Sequence, residues 1–272
     1  MKKTDYKKEL VINATQKRRG TNNNSKDVRK IQSWLSLYAI TNPSTGTATG
    51  IDGDFGPATE RAVKNYQKSK GIVPSGMVTQ ALFDQLCAPM KDAFETPLQS
   101  THLRDLVLEV AQNHVNAHPR ELIIKGQSNS GPWVRSYMDG KDGALWFWCM
   151  GFVQTIIDQA ASEQGKKFTD LMPQTVSCDI VGNAGLKQGI LHRNSQLKNN
   201  PSLIKPGDIF LIKKSRLDWT HTGIIIDVEG DTIETIEGNT NHQGSRNGIA
   251  AMRRTRNFRK SNIDTFSIDP LV

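Results

Sequence analysis

The chain has 272 residues, with 35 Lys and Arg against 27 Asp and Glu, a formal net charge of +8 and a pI near 9.4. It is 36% hydrophobic and 23% charged, an ordinary globular balance with enough apolar material for two small cores or one large one. Membrane insertion is not expected, because the longest apolar run, around Cys149, is broken by Gln154 and Asp158. The charge favours a polyanion, whether nucleic acid, anionic lipid or anionic cell wall, without choosing among them.

Taken in order, residues 1–25 are polar and basic and close on Thr21-Asn22-Asn23-Asn24-Ser25, which reads as a tail or linker. The first twenty residues carry the positive charge of a signal peptide but no apolar core behind it. The expectation is a protein made in the cytoplasm without a standard signal. Basic residues gather here (Lys2, Lys3, Lys7, Lys8, Lys17, Arg18, Arg19) and again near the other end (Arg253, Arg254, Arg256, Arg259, Lys260). They read either as solvated, partly disordered tails or as dedicated binding segments.

Asp27 can cap a helix carrying Val28, Ile31, Leu35 and Tyr38 at spacings of three and four. The stretch from Thr41 to Gly50 is a loop. Pro57 suits the first turn of a second helix with Ala62, Val63 and Tyr66 on one face, closed by Gly71. A third helix near Thr79–Leu86 presents Ala81, Leu82 and Leu86. Asp52-Gly53-Asp54 invites a calcium loop, but an EF-hand starting at Asp52 needs Gly where Pro57 stands and Glu where Val63 stands. Turn chemistry before a helix explains it better.

The ordered set Ile31-Gln32-x-Trp34-Leu35, Gly50-Ile51-Asp52-Gly53-Asp54-Phe55-Gly56-Pro57-x-Thr59, Ala62-Val63-x-x-Tyr66-Gln67, Gly71-Ile72 and Ser75-Gly76-x-Val78-Thr79 resembles the three-helix peptidoglycan-binding domain family over residues 26–87. The resemblance implies a module holding an enzyme on the cell wall, with Asp52, Asp54 and Phe55 as its wall-binding turn. The insertion after Ile40 departs from the shorter loops of the family. Residues 88–100, aperiodic and with two prolines, read as a linker, and Cys87 beside core leucines reads as packing.

From Thr101 the pattern changes. Leu103, Leu106, Val107, Val110 and Ala111 mark one helix, and Trp133, Val134 and Tyr137 a short second one. Past Cys149, Phe152, Val153, Ile156, Ile157, Ala160 and Ala161 recur with helical spacing. Cys149 therefore falls at the start of a buried helix, where free backbone N–H groups and the positive end of the dipole favour a thiolate. The same N–H groups can hold an oxyanion.

Ile209–Ile212, His221–Val228 and Thr232–Asn239 read as strands. If Glu229-Gly230-Asp231 is a hairpin loop, Val228 pairs with Thr232 and His221 stands opposite Asn239. Glu237 then lies on the same face. A two-residue loop would turn Glu237 away. In the first register the chain supplies a nucleophile, a base and two groups able to orient the imidazole.

Trp148-Cys149-x-x-Phe152-Val153, Pro206-Gly207-Asp208, His221-x-Gly223-Ile224 and Glu237-Gly238-Asn239 resemble the CHAP family of papain-like, NlpC/P60-like cysteine peptidases. The resemblance implies an α+β fold over residues 101–272, helices packed on an antiparallel sheet, after the small three-helix bundle. It makes Cys149 the nucleophile, His221 the general base and acid, and Glu237 its orienting group with Asn239 assisting. It also brings Asn129, Gly131 and Trp148 to the substrate cleft.

Cys178 lacks the apolar helix pattern that follows Cys149 and reads as packing. His114 and His118, one turn apart, could serve a zinc ion but lack a third ligand and read as a solvent-facing pair. No metal or cofactor is expected. Peptidoglycan is the expected partner and nucleic acid is not, since no stacking platform or basic recognition helix is present. Amide hydrolysis in the wall is thus the leading reading, by a muramoyl-alanine amidase or a stem-peptide or cross-bridge endopeptidase. A catalytically idle wall-binding protein is the alternative. The setting is a phage endolysin released by a holin, or an injected antibacterial effector whose producer needs an immunity protein, acting in the periplasm or wall.

Overall fold

The computed structural model describes residues 1–243 and 247–272. Its N-terminal part is helical: α1 (Tyr6–Glu9), α2 (Ser25–Thr41), α3 (Pro57–Ser69), α4 (Gln80–Leu86) and α5 (Ala88–Glu95). Asn24, not Asp27, caps α2, its side chain accepting from the amides of Lys26 and Asp27. Asp27 is instead buried and accepts from the backbone and side chain of Asn13. Pro57 opens α3 and the Thr79 hydroxyl caps α4. Ile31, Leu35, Val63, Tyr66 and Phe83 form the core between them. Cys87 closes α4, and burial pushes its thiol up to about 12, as expected of a packing residue.

Two segments differ from their sequence reading. Residues 1–25 are a strap rather than a tail. The amides of Lys2 and Lys3 donate to Asp158 Oδ2 at 2.7 and 2.8 Å. Lys3 pairs with Asp139, Glu9 takes a two-pronged ion pair from Arg135, and the Tyr6 ring stacks on Phe94 with centroids 4.0 Å apart. Isolated residues such as Lys3, Tyr6 and Glu9 carry these contacts, so no periodicity announced them. The linker reading of residues 88–100 fails over its first half, where α5 buries Met90, Ala93 and Phe94. Pro89 sits at its N-terminal turn, where a missing N–H costs nothing.

The remainder joins α6 (Leu103–Asn116), the ribbon β1 (Leu122–Ile124) and β2 (Gln127–Ser130), α7 (Pro132–Tyr137), α8 (Cys149–Glu163) and α9 (Cys178–Gln188) to an antiparallel sheet. The sheet strands are β3 (Leu191–His192), β4 (Ile209–Ser215), β5 (Asp218–Glu229), β6 (Thr232–Thr240), β7 (Ala250–Asn257) and β8 (Ile263–Phe266), with α10 (Asn194–Asn199) after β3. Their order is β3-β8-β4-β5-β6-β7. The molecule is α+β, with its helical region N-terminal.

Strand alternation divides the burial. Ile209, Leu211, Ile224 and Ile236 join α8, whose Phe152, Ile156 and Ile157 are fully buried, each contributing roughly 1.5–3 kcal/mol. Phe210, Ile225, Ile233 and Phe258 form a second cluster with Leu197. Gly151 lets α8 approach α7: a Cβ there would stand 2.5 Å from the Tyr137 carbonyl oxygen. The second basic run is likewise no disordered tail. Arg253, Arg254 and Arg256 lie within β7, and Arg259 pairs with Asp231. Among the described residues no helix is long and apolar enough to cross a membrane.

Candidate active site

Cys149 is the first residue of α8 and is 4% exposed. Its thiol is held well below the ordinary range. The Cys178 thiol contributes most, His221 and the Met150 amide add to it, and burial opposes them. The sulfur lies at the N-terminus of α8, with the Met150 N–H directed at it.

His221 lies in β5 and Glu237 in β6, both fully buried. The hairpin expectation needs a correction at its tip. Glu229 pairs with Thr232, leaving the two-residue loop Gly230-Asp231 that was to turn Glu237 away. A bulge between Ile225 and Asp227 absorbs one residue, so Ile225 pairs with Thr235 and Ile224 with Ile236. The register nearest the site is thus the one that puts His221 and Glu237 on one face. His221 Nε2 donates to Glu237 Oε2 at 2.9 Å. Its Nδ1 is buried without a hydrogen-bond partner, and Cys149 is a neighbouring group that acts on the ring. Burial alone would lower the imidazole, but the Cys149 sulfur and the Glu237 carboxylate outweigh it and raise it to about 9. Burial would raise Glu237, yet His221 and Arg256 bring it down to about 2. The arrangement brings a buried imidazole onto a buried carboxylate, with a buried thiol acting on the same ring.

Asn239 is buried next in line, at φ 54, but both atoms of its amide lack partners and it makes no bond to His221. Orientation of the ring thus falls to Glu237. Trp148, expected at the cleft, is fully buried instead: its indole N–H donates to Glu121 and its ring stacks on Tyr137. Adjacent Phe147 is 45% exposed and Leu145 87% exposed. Asn129 and Gly131 are buried and bonded to the segment that leads to Cys149, with Asn129 Oδ1 left without a partner. Asn129 takes the Gly143 amide on its carbonyl and donates to Ala144 O, while the Gly131 amide donates to Asp142.

The expected wall-binding turn divides in the same way. Asp52 and Asp54 are exposed, but Phe55 is 3% exposed and belongs to the core. The Gln32 amide group knits the turn, donating to Asp52 and to the Asp54 carbonyl and accepting from Gly53.

Cys178, taken for packing in the sequence, is a neighbour of Cys149 that sequence reasoning missed. It opens α9, capped by Ser177, and the nearby Cys149 raises its thiol. The signal available was local: Ser177 as cap, Asp179 in the first turn and Gly189, at φ 73, closing the helix. The histidine pair is also corrected. His114 is buried between the Tyr137 hydroxyl and Gln159, whereas His118 is exposed beyond the helix end. Among the described residues, no three His, Cys, Asp or Glu side chains stand together as metal ligands would.

The family model for a peptidoglycan binding domain matches residues 24–86, so the chain carries such a domain. The chain is also 35% identical over 75 residues to a zinc D-Ala-D-Ala carboxypeptidase of Streptomyces albus G. That match covers 28% of this chain and 28% of the relative's length. No solved structure matches the chain.

Proposed function

We propose that the protein is a peptidoglycan hydrolase that cleaves an amide bond of the wall through a thioester on Cys149, in a papain-like, CHAP-type domain. The observation that carries this reading is the 2.9 Å bond from His221 Nε2 to Glu237, which leaves Nδ1 for the sulfur at the start of α8. The thiolate attacks the carbonyl carbon, and N–H groups of the first turn of α8 receive the oxyanion. Imidazolium His221 gives its proton to the departing amine, then takes one from the water that opens the thioester. Glu237 holds the ring and stabilises its charged form.

The peptidoglycan-binding domain over residues 24–86 supports peptidoglycan as the partner. The D-Ala-D-Ala carboxypeptidase named among the relatives supports a wall-directed hydrolase, here with a cysteine in place of that enzyme's zinc. The bond is a muramoyl-alanine amide, a stem-peptide bond or a cross-bridge. The proposed setting is the periplasm or wall, reached as a phage endolysin or as an injected effector with an immunity protein in its producer.

Mass spectrometry of purified peptidoglycan digested by wild type and by Cys149→Ala tests the proposal. Soluble fragments from wild type alone are expected, and their new termini name the bond. Equal fragments from both proteins would remove Cys149 from the mechanism, and none from either, across several wall types, would leave a binding protein.

A further inference from the structure

Arg256 stands in the second basic run, and nothing in that run separates it from its neighbours. The strand register does. In the β6–β7 ladder Thr235 pairs with Arg254, Ile233 with Arg256 and Glu237 with Met252. Residues opposite one another share a face, so Thr235, Glu237 and Arg256 lie on one side of the sheet. Arg256 must reach diagonally along the strand to meet Glu237. It does so with its guanidinium over the Phe210 ring, 5.1 Å from the centroid.

The fork closes on the carboxylate from both prongs. Arg256 Nε donates to Glu237 Oε1 at 2.5 Å and Nη2 to Oε2 at 2.6 Å. Thr235 Oγ1 adds 2.7 Å to Oε1, and His221 completes Oε2. Four donors therefore fill a carboxylate that has no access to water. The groups facing it are His221 from β5, Thr235 from its own strand and Arg256 from β7, while Cys149 acts on His221 and Cys178 on Cys149.

We propose that Arg256 is a positioning residue of this site, its guanidinium clamping both oxygens of Glu237 so that the carboxylate stays ionised and aimed at His221. The inference rests on the catalytic reading of Cys149, His221 and Glu237. Arg256 touches no reacting atom. It acts by keeping a proton off Glu237, since a buried carboxylate stripped of its cation favours the neutral form. A protonated Glu237 no longer supports imidazolium His221, and the Cys149 thiolate loses its counter-ion in turn. Lysine supplies the charge without the two-pronged geometry.

The test uses the full chain and needs no wall substrate. The rate of Cys149 alkylation by iodoacetamide is followed against pH, with the modified peptide located by mass spectrometry, in wild type and in Arg256→Met, Arg256→Gln and Arg256→Lys. In the Met and Gln variants the acid limb is expected to move up by about one pH unit or more, with a smaller shift in the Lys variant. A limb that stays in place in a folded variant, even one with a lower melting temperature, reduces Arg256 to a structural role and overturns the proposal. Should the Met and Gln variants fail to fold, the Lys variant decides by the same criterion. Failure of wild type to digest peptidoglycan would sink the hydrolase reading and leave the alkylation profile to judge Arg256 separately.

Discussion

Cys149 and Cys178 are the first residues of α8 and α9, both buried, and the Cys178 thiol lowers the Cys149 thiol while its own is raised. Both helices pack on β5, the strand that carries His221.

Removing the second thiol is expected to show this directly. In Cys178→Ala the Cys149 thiol loses a group that holds it down, so its pKa should rise and alkylation at mildly acidic pH should slow. Cys178→Ser returns a hydroxyl donor and should recover much of the loss. On the alkaline side the rate should stop tracking the ion pair near pH 9, where His221 gives up its proton. An alanine variant with the wild-type profile would make Cys178 a packing residue after all.

The contrast between His221–Glu237 and Cys178 shows what the sequence could disclose. Alternation along β5 and β6 put His221 and Glu237 on one face before any coordinate was known, but only through a loop length that is not the real one. The bulge after Ile225 restored the register, and a bulge leaves no compositional mark. Cys178 was hidden for another reason. Helix α9 buries small residues, Gly182 against Trp219 and Gly185 against Phe266, so the large apolar stripe that advertised α8 is absent. The strap of residues 1–25 and the clamp of Arg256 are long-range contacts of polar residues, which periodicity cannot detect.

Gly238 ties the carboxylate to the nucleophile helix. A Cβ there would stand 2.6 Å from Phe152 Cβ and 3.0 Å from Trp148 Cζ3, both in or next to the first turn of α8. The Trp148 ring cannot withdraw, because it is held by Glu121 and stacked on Tyr137, and Phe152 Cβ is fixed to the backbone of α8. Gly238→Ala should push β6 from α8, costing about 1–3 kcal/mol in stability and carrying Glu237 out of line with His221. Thermal melting and the Cys149 alkylation profile measured on one preparation check both effects. A wild-type melting temperature would mean that the helix and strand separate freely.

His114 links the catalytic region to acid stability. Its Nε2–H donates to Gln159 Oε1, whose amide nitrogen is committed to the carbonyls of Ala93 and Phe94, and its Nδ1 accepts from the Tyr137 hydroxyl. That pattern needs a neutral ring, and burial lowers the imidazole from 6.5 to about 4. Between those values the unfolded chain binds a proton that the native state refuses. The contribution of His114 is therefore constant above about pH 6.5 and declines as pH falls toward 4, by on the order of 3 kcal/mol in all. His114→Gln keeps a donor and an acceptor at the site and removes the titration. Urea midpoints for wild type and variant should converge as pH drops from 7 to 4, because only the wild type bears this penalty. A constant gap between the two curves across that range would show that His114 takes up its proton without leaving the fold.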